Sequence, residues 1–407
     1  MLENKLLSKT NNIGGIKWNI ILQQIQLISI STYYVFNFID RGISNIFLLL
    51  TLFLCLIDYK RLYENIREHR VLVIPIILLS VWVTLVGIYH QSPLHELDNY
   101  YRFLLLIPLL IIAIKDYQLI FMLNICAVGA LGHLFYTYLG DDIGRYQGTS
   151  SNAITYANLC ALLSIMCIYY FFIKKHHSIY LLLSSLVFLY ILVVTQTRGP
   201  FIGIIISFIY LIFLTRSRLL VTFISIIFIS LIFVPNPLID RIKVISQINL
   251  ELQNDTANFK PIHGSISINE RVFYLKYGLD KIKHQLVFGI GPHYLEKEML
   301  DYTEKNNINI EARDHLHNEF LDISVKFGIP ALILLLLIYF VLYKSSDKDN
   351  RVMMNLILIT LMSSQLTQSQ FAHHQAITFF IVLLFLNTRP NFMRKHNRDN
   401  FMSSSSK

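Results

Sequence analysis

Charged residues are scarce in this chain: Asp, Glu, Lys and Arg make up 15% of its 407 residues, against about 25% in soluble proteins. With 54% hydrophobic residues, an ordinary soluble domain is excluded. Cysteine is scarce as well. Cys55, Cys126, Cys160 and Cys167 all lie inside apolar runs, which excludes a disulfide framework or cysteine zinc site in the polar part and leaves them as small buried hydrophobes. The polar start, Met1 to Lys17, leads into an apolar run with no small-residue cleavage site after it, so no cleavable signal peptide is expected. No internal repeat is visible. Gly289-Ile-Gly291 is too short to be a nucleotide signature.

What is present is a series of long apolar runs and a mean hydropathy of +0.51. These predict an all-α polytopic integral membrane protein. Apolar runs near 18–38, 43–58, 71–90, 103–115, 117–139, 154–173, 178–195, 200–215, 219–235, 328–343, 352–371 and 375–388 give about 12 transmembrane helices. The chain thus divides into helices 1–9 (residues 1–235), a large polar loop (236–327), helices 10–12 (328–388) and a basic tail (389–407).

The net charge of +9 fits membrane topology better than nucleic acid, which is not expected as a partner. With the amino terminus inside, inner loops and tails hold twenty Lys and Arg residues, among them Lys60, Arg61, Lys174, Lys175, Lys344 and Arg394. The short outer loops hold four, Arg41, Arg102, Arg145 and Arg198. That asymmetry places the large loop outside the cytoplasm. In a Gram-negative cell this means the inner membrane, with the loop in the periplasm.

The loop is expected to be partly helical. Ser267-Ile-Asn-Glu270 has capping-box spacing, and Val272, Leu275, Leu279 and Ile282 recur at helical intervals, predicting an amphipathic helix over 268–283. The spacing predicts a second helix from about His315 to Phe327, with Gly328 and Pro330 at the entry to the next span.

Several residues there suit chemistry. Arg198, in Thr195-Gln-Thr-Arg198, sits at the outer end of a span, against the positive-inside trend; it reads as a snorkelling side chain or as a fork of donors for phosphate. Arg271 lies in the first turn of the amphipathic helix, where free N–H groups also favour an anion, or it is a solvated surface charge. Asp314-His315-Leu-His317-Asn318-Glu319 admits a structural histidine, a general base or a metal site. Metal is disfavoured because helical positions two apart face nearly opposite sides; no metal and no cofactor are expected. Arg145, with Asn152 and Asn158, lies in a polar stretch that could touch a sugar or phosphate, or form a turn. His373-His374 reads as interfacial.

With these residues in view, the chain resembles the O-antigen ligase family of Gram-negative inner membranes. The resemblance covers the hydrophobic plan, with both ends cytoplasmic and one large periplasmic loop before the last three spans. It also covers Arg198 at a span end, Arg271 to Leu275 as an R-x3-L motif, and His317-Asn318 followed after nine residues by Gly328. Ala331 departs from the Gly, Thr or Tyr usual in that pattern, at a helix-entry turn where packing rather than chemistry is touched.

The resemblance implies transfer of O-polysaccharide from an undecaprenyl-diphosphate donor to a sugar hydroxyl of lipid A–core, beside membrane lipids. Arg198 and Arg271 would hold the diphosphate and His317 would act as base, with Arg145, His315, Asn318 and Glu319 in possible support. The diphosphate is a good leaving group, so the transfer would be metal-independent and inverting. An O-antigen polymerase, a protein O-oligosaccharyltransferase, a lipid-linked sugar transporter and a non-catalytic assembly protein are the alternatives.

The charge asymmetry makes a direct prediction. Reporter fusions after Gly264 and Asn306 should read as periplasmic, and fusions after Lys175 and Ser346 as cytoplasmic. A cytoplasmic reading after Gly264 would overturn the placement of the loop.

Overall fold

The computed structural model describes residues 2–112, 114–140, 146–149, 153–197, 199–233, 266–306, 308, 310–346, 350–372, 378 and 380–383. Its helices are α1 (Leu2–Phe36), α2 (Arg41–Ile57), α3 (Tyr59–Glu68), α4 (Arg70–Tyr89), α5 (Asp116–Gly140), α6 (Ala153–Phe172) and α7 (Ile179–Val194). They continue with α8 (Gly199–Thr215), α9 (Arg218–Phe233), α10 (Ile266–His284), α11 (Leu295–Lys305), α12 (Glu319–Ser345) and α13 (Arg351–Gln365). Among the described residues there is no strand, so the all-α expectation holds.

The span count differs from the twelve expected. Among the described residues, α4, α5, α6 and α12 are long and apolar enough to cross a membrane. The pair α2 and α3, bent by 88° at Asp58, would make a fifth. Shorter apolar helices cover Ile20–Phe36, Ile179–Val194 and Gly199–Thr215. Large side chains such as Ile88, Phe213 and Phe340 are exposed on these helices, as expected where the surrounding medium is apolar.

One expected span is not a single continuous helix. Residues 103–109 belong to a run of four-residue helical segments, Asp98–Tyr101, Arg102–Leu105 and Leu106–Leu109. Pro108 supplies no N–H to a helix, and Phe103, Leu106, Leu109, Leu110, Ile111 and Ile112 are buried in protein. Irregular backbone at membrane depth is tolerated when protein covers it and its polar groups find partners. Here Ile112 N donates to Leu109 O at 3.0 Å, and the Arg61 guanidinium donates to Ile111 O.

The architecture turns on α12, which packs against α4, α10 and α13. It is interrupted at Gly328 (φ 79°, ψ 172°), two residues before Pro330. The break removes the amide donors that a continuous helix would aim at three carbonyls, those of Val325, Lys326 and Phe327. Each finds another donor: Ile290 N on Val325 O at 2.8 Å, Gly291 N on Lys326 O at 3.1 Å, and Trp82 Nε1 on Phe327 O at 2.8 Å. Ile329 N donates in return to Leu286 O at 2.9 Å. The segment 286–291 therefore lies along the broken helix and ties the polar loop to α4. Phe288 stacks on Trp82 and Tyr89, with ring centroids 5.5 and 4.8 Å away.

The loop carries its own core. Phe273, Tyr274 and Tyr277 of α10, Ile290, Leu295 and Met299 of α11, Leu316, and Leu321 and Val325 of α12 form one buried cluster. The amphipathic helix expected over 268–283 is α10. Its exposed apolar residues are Leu275 and Leu279, while its aromatic face packs inward.

Close approach explains two glycines. A Cβ at Gly328 would strike Val287 O, and one at Gly289 would strike Val325 O. Gly328→Ala adds that clash to about 1–3 kcal/mol of backbone strain. Its melting temperature in detergent should fall by about 5 °C or more; an unchanged value would show that the break tolerates a side chain.

Candidate functional site

The second loop helix does not begin at His315. It begins at Glu319, because Asn318 (φ −150°, ψ 116°) is its N-cap and its side-chain oxygen accepts from Leu321 N at 3.0 Å. Acidic Glu319 and Asp322 in the first turn suit the positive helix end. His315 and His317 therefore lie on a loop, and the rule that helical neighbours two apart face away does not apply. Their rings meet edge to face, with centroids 4.5 Å apart. The expectation that His315 faces away from His317 is corrected accordingly.

The loop is held at each residue. Leu316 N donates to Asp322 Oδ1 at 2.9 Å, and Asn318 Nδ2 donates to Leu366 O at 3.2 Å. His315 Nδ1 is 2.6 Å from Asp314 Oδ1, and this bond holds the Asp314 carboxyl down at about 2. His317 has φ 53°, a left-handed conformation that is costly for a residue with a Cβ. Its Nδ1 is 2.8 Å from Gln368 Oε1, and its ring lies 5.7 Å from that of Tyr274.

Burial pushes His317 down from its ordinary value to about 4, assisted by His315, Arg271 and Arg313 and opposed by the Gln368 bond. Burial likewise lowers Arg271, with Glu270 opposing. Tyr274, fully buried, donates through its hydroxyl to Glu311 O at 3.0 Å and is pushed up to about 12, chiefly by burial.

Below the loop lies a charged face on α12. Glu319 and Asp322 are fully buried and Lys326 is 8% exposed. Lys326 Nζ pairs with Asp322 Oδ2 at 2.9 Å, and Glu319 Oε2 accepts from Phe371 N at 2.8 Å. Burying a lone carboxylate costs several kcal/mol; Asp322 avoids this through Lys326 one turn away and the Leu316 amide. Among the described residues, no three His, Cys, Asp or Glu side chains gather as metal ligands.

Of the residues predicted from sequence, the structure brings His315, His317, Asn318 and Glu319 together, and places Arg271 near enough to His317 to act on its charge. Arg145, Arg198, Asn152, His373 and His374 lie outside the described residues. Gly199, next to Arg198, is packed so closely on Thr367 that a Cβ would strike the threonine hydroxyl. The turn at 366–368 therefore touches both the start of α8 and His317. Asn158 is fully buried within α6, not in an outer loop.

Sequence reasoning missed Asp322, Lys326, Gln368, Arg313 and Tyr274. A signal existed for the first two. Asn318-Glu-x-x-Asp322 is an N-cap followed by first-turn acids, and Lys326 is one turn on. Gln368 lies in the polar run Ser363 to Gln370, enclosed within an expected apolar span.

The fold and this site define an α-helical membrane protein with a docked polar loop, and residues 183–336 match the family model described as O-antigen ligase. That stretch runs from α7 through α8, α9 and the polar loop into α12, and it covers less than half of the chain. The match supports kinship with the O-antigen ligase and polymerase superfamily. No curated protein matches the chain.

His317 titration is directly measurable. The neutral form is favoured in the folded protein, so its contribution to stability is present above pH 6.5, the ordinary value. It is lost as pH falls towards about 4, because over that interval only the unfolded chain gains the proton. NMR of histidine-labelled protein should show one imidazole titrating near pH 4 and missing from His317→Ala; a value near 6.5 would contradict the burial argument.

Proposed function

We propose that the chain is an O-antigen ligase, which transfers O-polysaccharide from undecaprenyl diphosphate to a sugar hydroxyl of lipid A–core. The observation that carries this reading is His317 Nδ1 resting on Gln368 Oε1 at 2.8 Å, beside Arg271. An amide oxygen only accepts, so Nδ1 carries the proton and Nε2 keeps a lone pair.

In the proposed step the acceptor hydroxyl attacks the anomeric carbon and gives its proton to His317 Nε2. The bond from that carbon to the diphosphate breaks, and the electron pair leaves with undecaprenyl diphosphate. Attack from the opposite face inverts the anomeric centre. Arg271 and Arg198 bind the diphosphate and stabilise its growing charge through paired donors. Glu319 takes no proton in this scheme; its bond to Phe371 N anchors the bed beneath the histidine. The reaction uses no metal. The active loop, residues 236–327, faces the periplasm, and the lipid tail reaches it laterally from the inner membrane.

A base with a pKa near 4 is always available at neutral pH but is a weak one. Arg271 and Arg313 help to hold it there. A bound diphosphate cancels those cations and raises the histidine towards a more useful value. Hence the acid limb of kcat should lie above that of kcat/KM, since the first reports the complex and the second the free enzyme.

The decisive experiment is the lipopolysaccharide ladder of a deletion strain carrying variants at equal membrane abundance. His317→Ala should lose about 100- to 10,000-fold in rate and leave bare core with polymer stranded on its carrier. Arg271→Lys should lose about ten- to a hundredfold although charge is retained. A normal ladder from His317→Ala would overturn the general-base assignment. Core capped with a single repeat would instead identify an O-antigen polymerase.

A further inference from the structure

The reaction scheme uses one contact from the polar turn that follows α13, the bond from Gln368 to His317, and the rest of that turn explains what fixes it. Six of the eight residues from Ser363 to Gln370 are buried polar side chains, and Gln365, Ser369 and Gln370 are completely so. A run of this kind between apolar segments is costly unless its groups are used. Its backbone is fixed from several sides. Leu366 N donates to Met362 O and Thr367 N to Ser364 O, both at 3.0 Å. Gln370 Nε2 donates to Ser364 Oγ at 2.6 Å. The N-cap Asn318 and the buried Glu319 bind the backbone at Leu366 and Phe371, so the turn is anchored on both sides of residue 368. Gln368 itself is 1% exposed.

We propose that Gln368 is a positioning residue: its side-chain oxygen holds His317 in the tautomer protonated on Nδ1, which keeps the basic lone pair on Nε2. This rests on the general-base reading of His317 given above. The physical reasoning is that a neutral imidazole has two tautomers, and the hydrogen bond at one nitrogen selects which nitrogen can act as base. An anchored amide selects as well as a carboxylate would, without adding negative charge. The other described groups around the ring act in different ways. His315 meets the ring edge to face, Tyr274 lies 5.7 Å from it with its hydroxyl engaged elsewhere, and Arg271 and Arg313 act only as positive charge. The charged α12 face beneath is internally neutralised between Asp322 and Lys326, with Glu319 bound to the turn. Burial keeps the histidine uncharged, and the neutral amide orients it without adding the negative charge that would favour its protonation.

The test compares pH profiles of purified enzyme acting on lipid-linked donor and lipid A–core. Gln368→Leu removes the acceptor and should cost about tenfold in kcat. Gln368→Glu keeps an acceptor for Nδ1–H and adds a negative charge, so activity should persist while the acid limb moves up by on the order of one pH unit. A role in packing alone would reduce folded protein in both variants and leave the limb unmoved. Imidazole nitrogen shifts of the wild-type protein provide a reading independent of variant folding: His317 should show a protonated Nδ1. A wild-type rate in Gln368→Leu together with an inactive His317→Ala would overturn this inference, as would a protonated Nε2. An active His317→Ala would overturn the general-base reading instead.

Discussion

The break in α12 is the constraint on which the rest of the molecule depends. A helix interrupted at Gly328 and Pro330 leaves carbonyls without donors among buried residues, and each orphan costs several kcal/mol. The chain meets this by laying 286–291 along the broken turn and by turning Trp82 onto Phe327 O. The same bonds that satisfy the backbone therefore dock the polar loop on α4. The loop's position is thus a consequence of backbone satisfaction, and the aromatic stack of Trp82, Phe288 and Tyr89 adds burial to it.

Upstream of the break, the first turns of α12 do two jobs. Leu321 and Val325 belong to the loop's core, while Ile323 and Phe327 belong to the main helical core. Glu319, Asp322 and Lys326 fall on a face that meets neither solvent nor lipid. Asp322 steadies Leu316 and Glu319 steadies the turn after α13. Neighbouring acids on one helix thus grip the two segments that present His317 and Gln368. Charge at the foot of the site maintains geometry, and the histidine above it is left neutral by burial and nearby cations.

Much of this was legible in the chain. The low charge, the apolar runs and the helical spacing in α10 specify a helical membrane protein with a partly helical polar insert, although Leu275 and Leu279 of the expected apolar stripe are exposed and the aromatic face is the buried one. The grouping of Arg271, His317 and Asn318 was visible as motif spacing, and residues 183–336 match the O-antigen ligase family model. Two expectations failed for physical reasons. Hydropathy cannot distinguish one spanning apolar helix from a run of short apolar helical segments buried in protein, so 103–115 was expected to span. Periodicity cannot see that Asn318 caps a helix, so His315 and His317 were expected on opposite faces when their rings touch.

The sequence by itself determined composition-level facts: which segments prefer an apolar medium, where cations accumulate, and which residue types are available for phosphate and proton chemistry. Those follow from side-chain transfer energies and local propensity, which act residue by residue. Only the tertiary structure decided that Gln368, 51 residues beyond His317, is its partner, and that Gly199 meets Thr367 beside it. It also decided that Gly289 lies against Val325 O and that Gly291 N pairs with Lys326 O. Those facts depend on which orphan donors and acceptors meet across distant segments, and a linear pattern carries no record of that meeting.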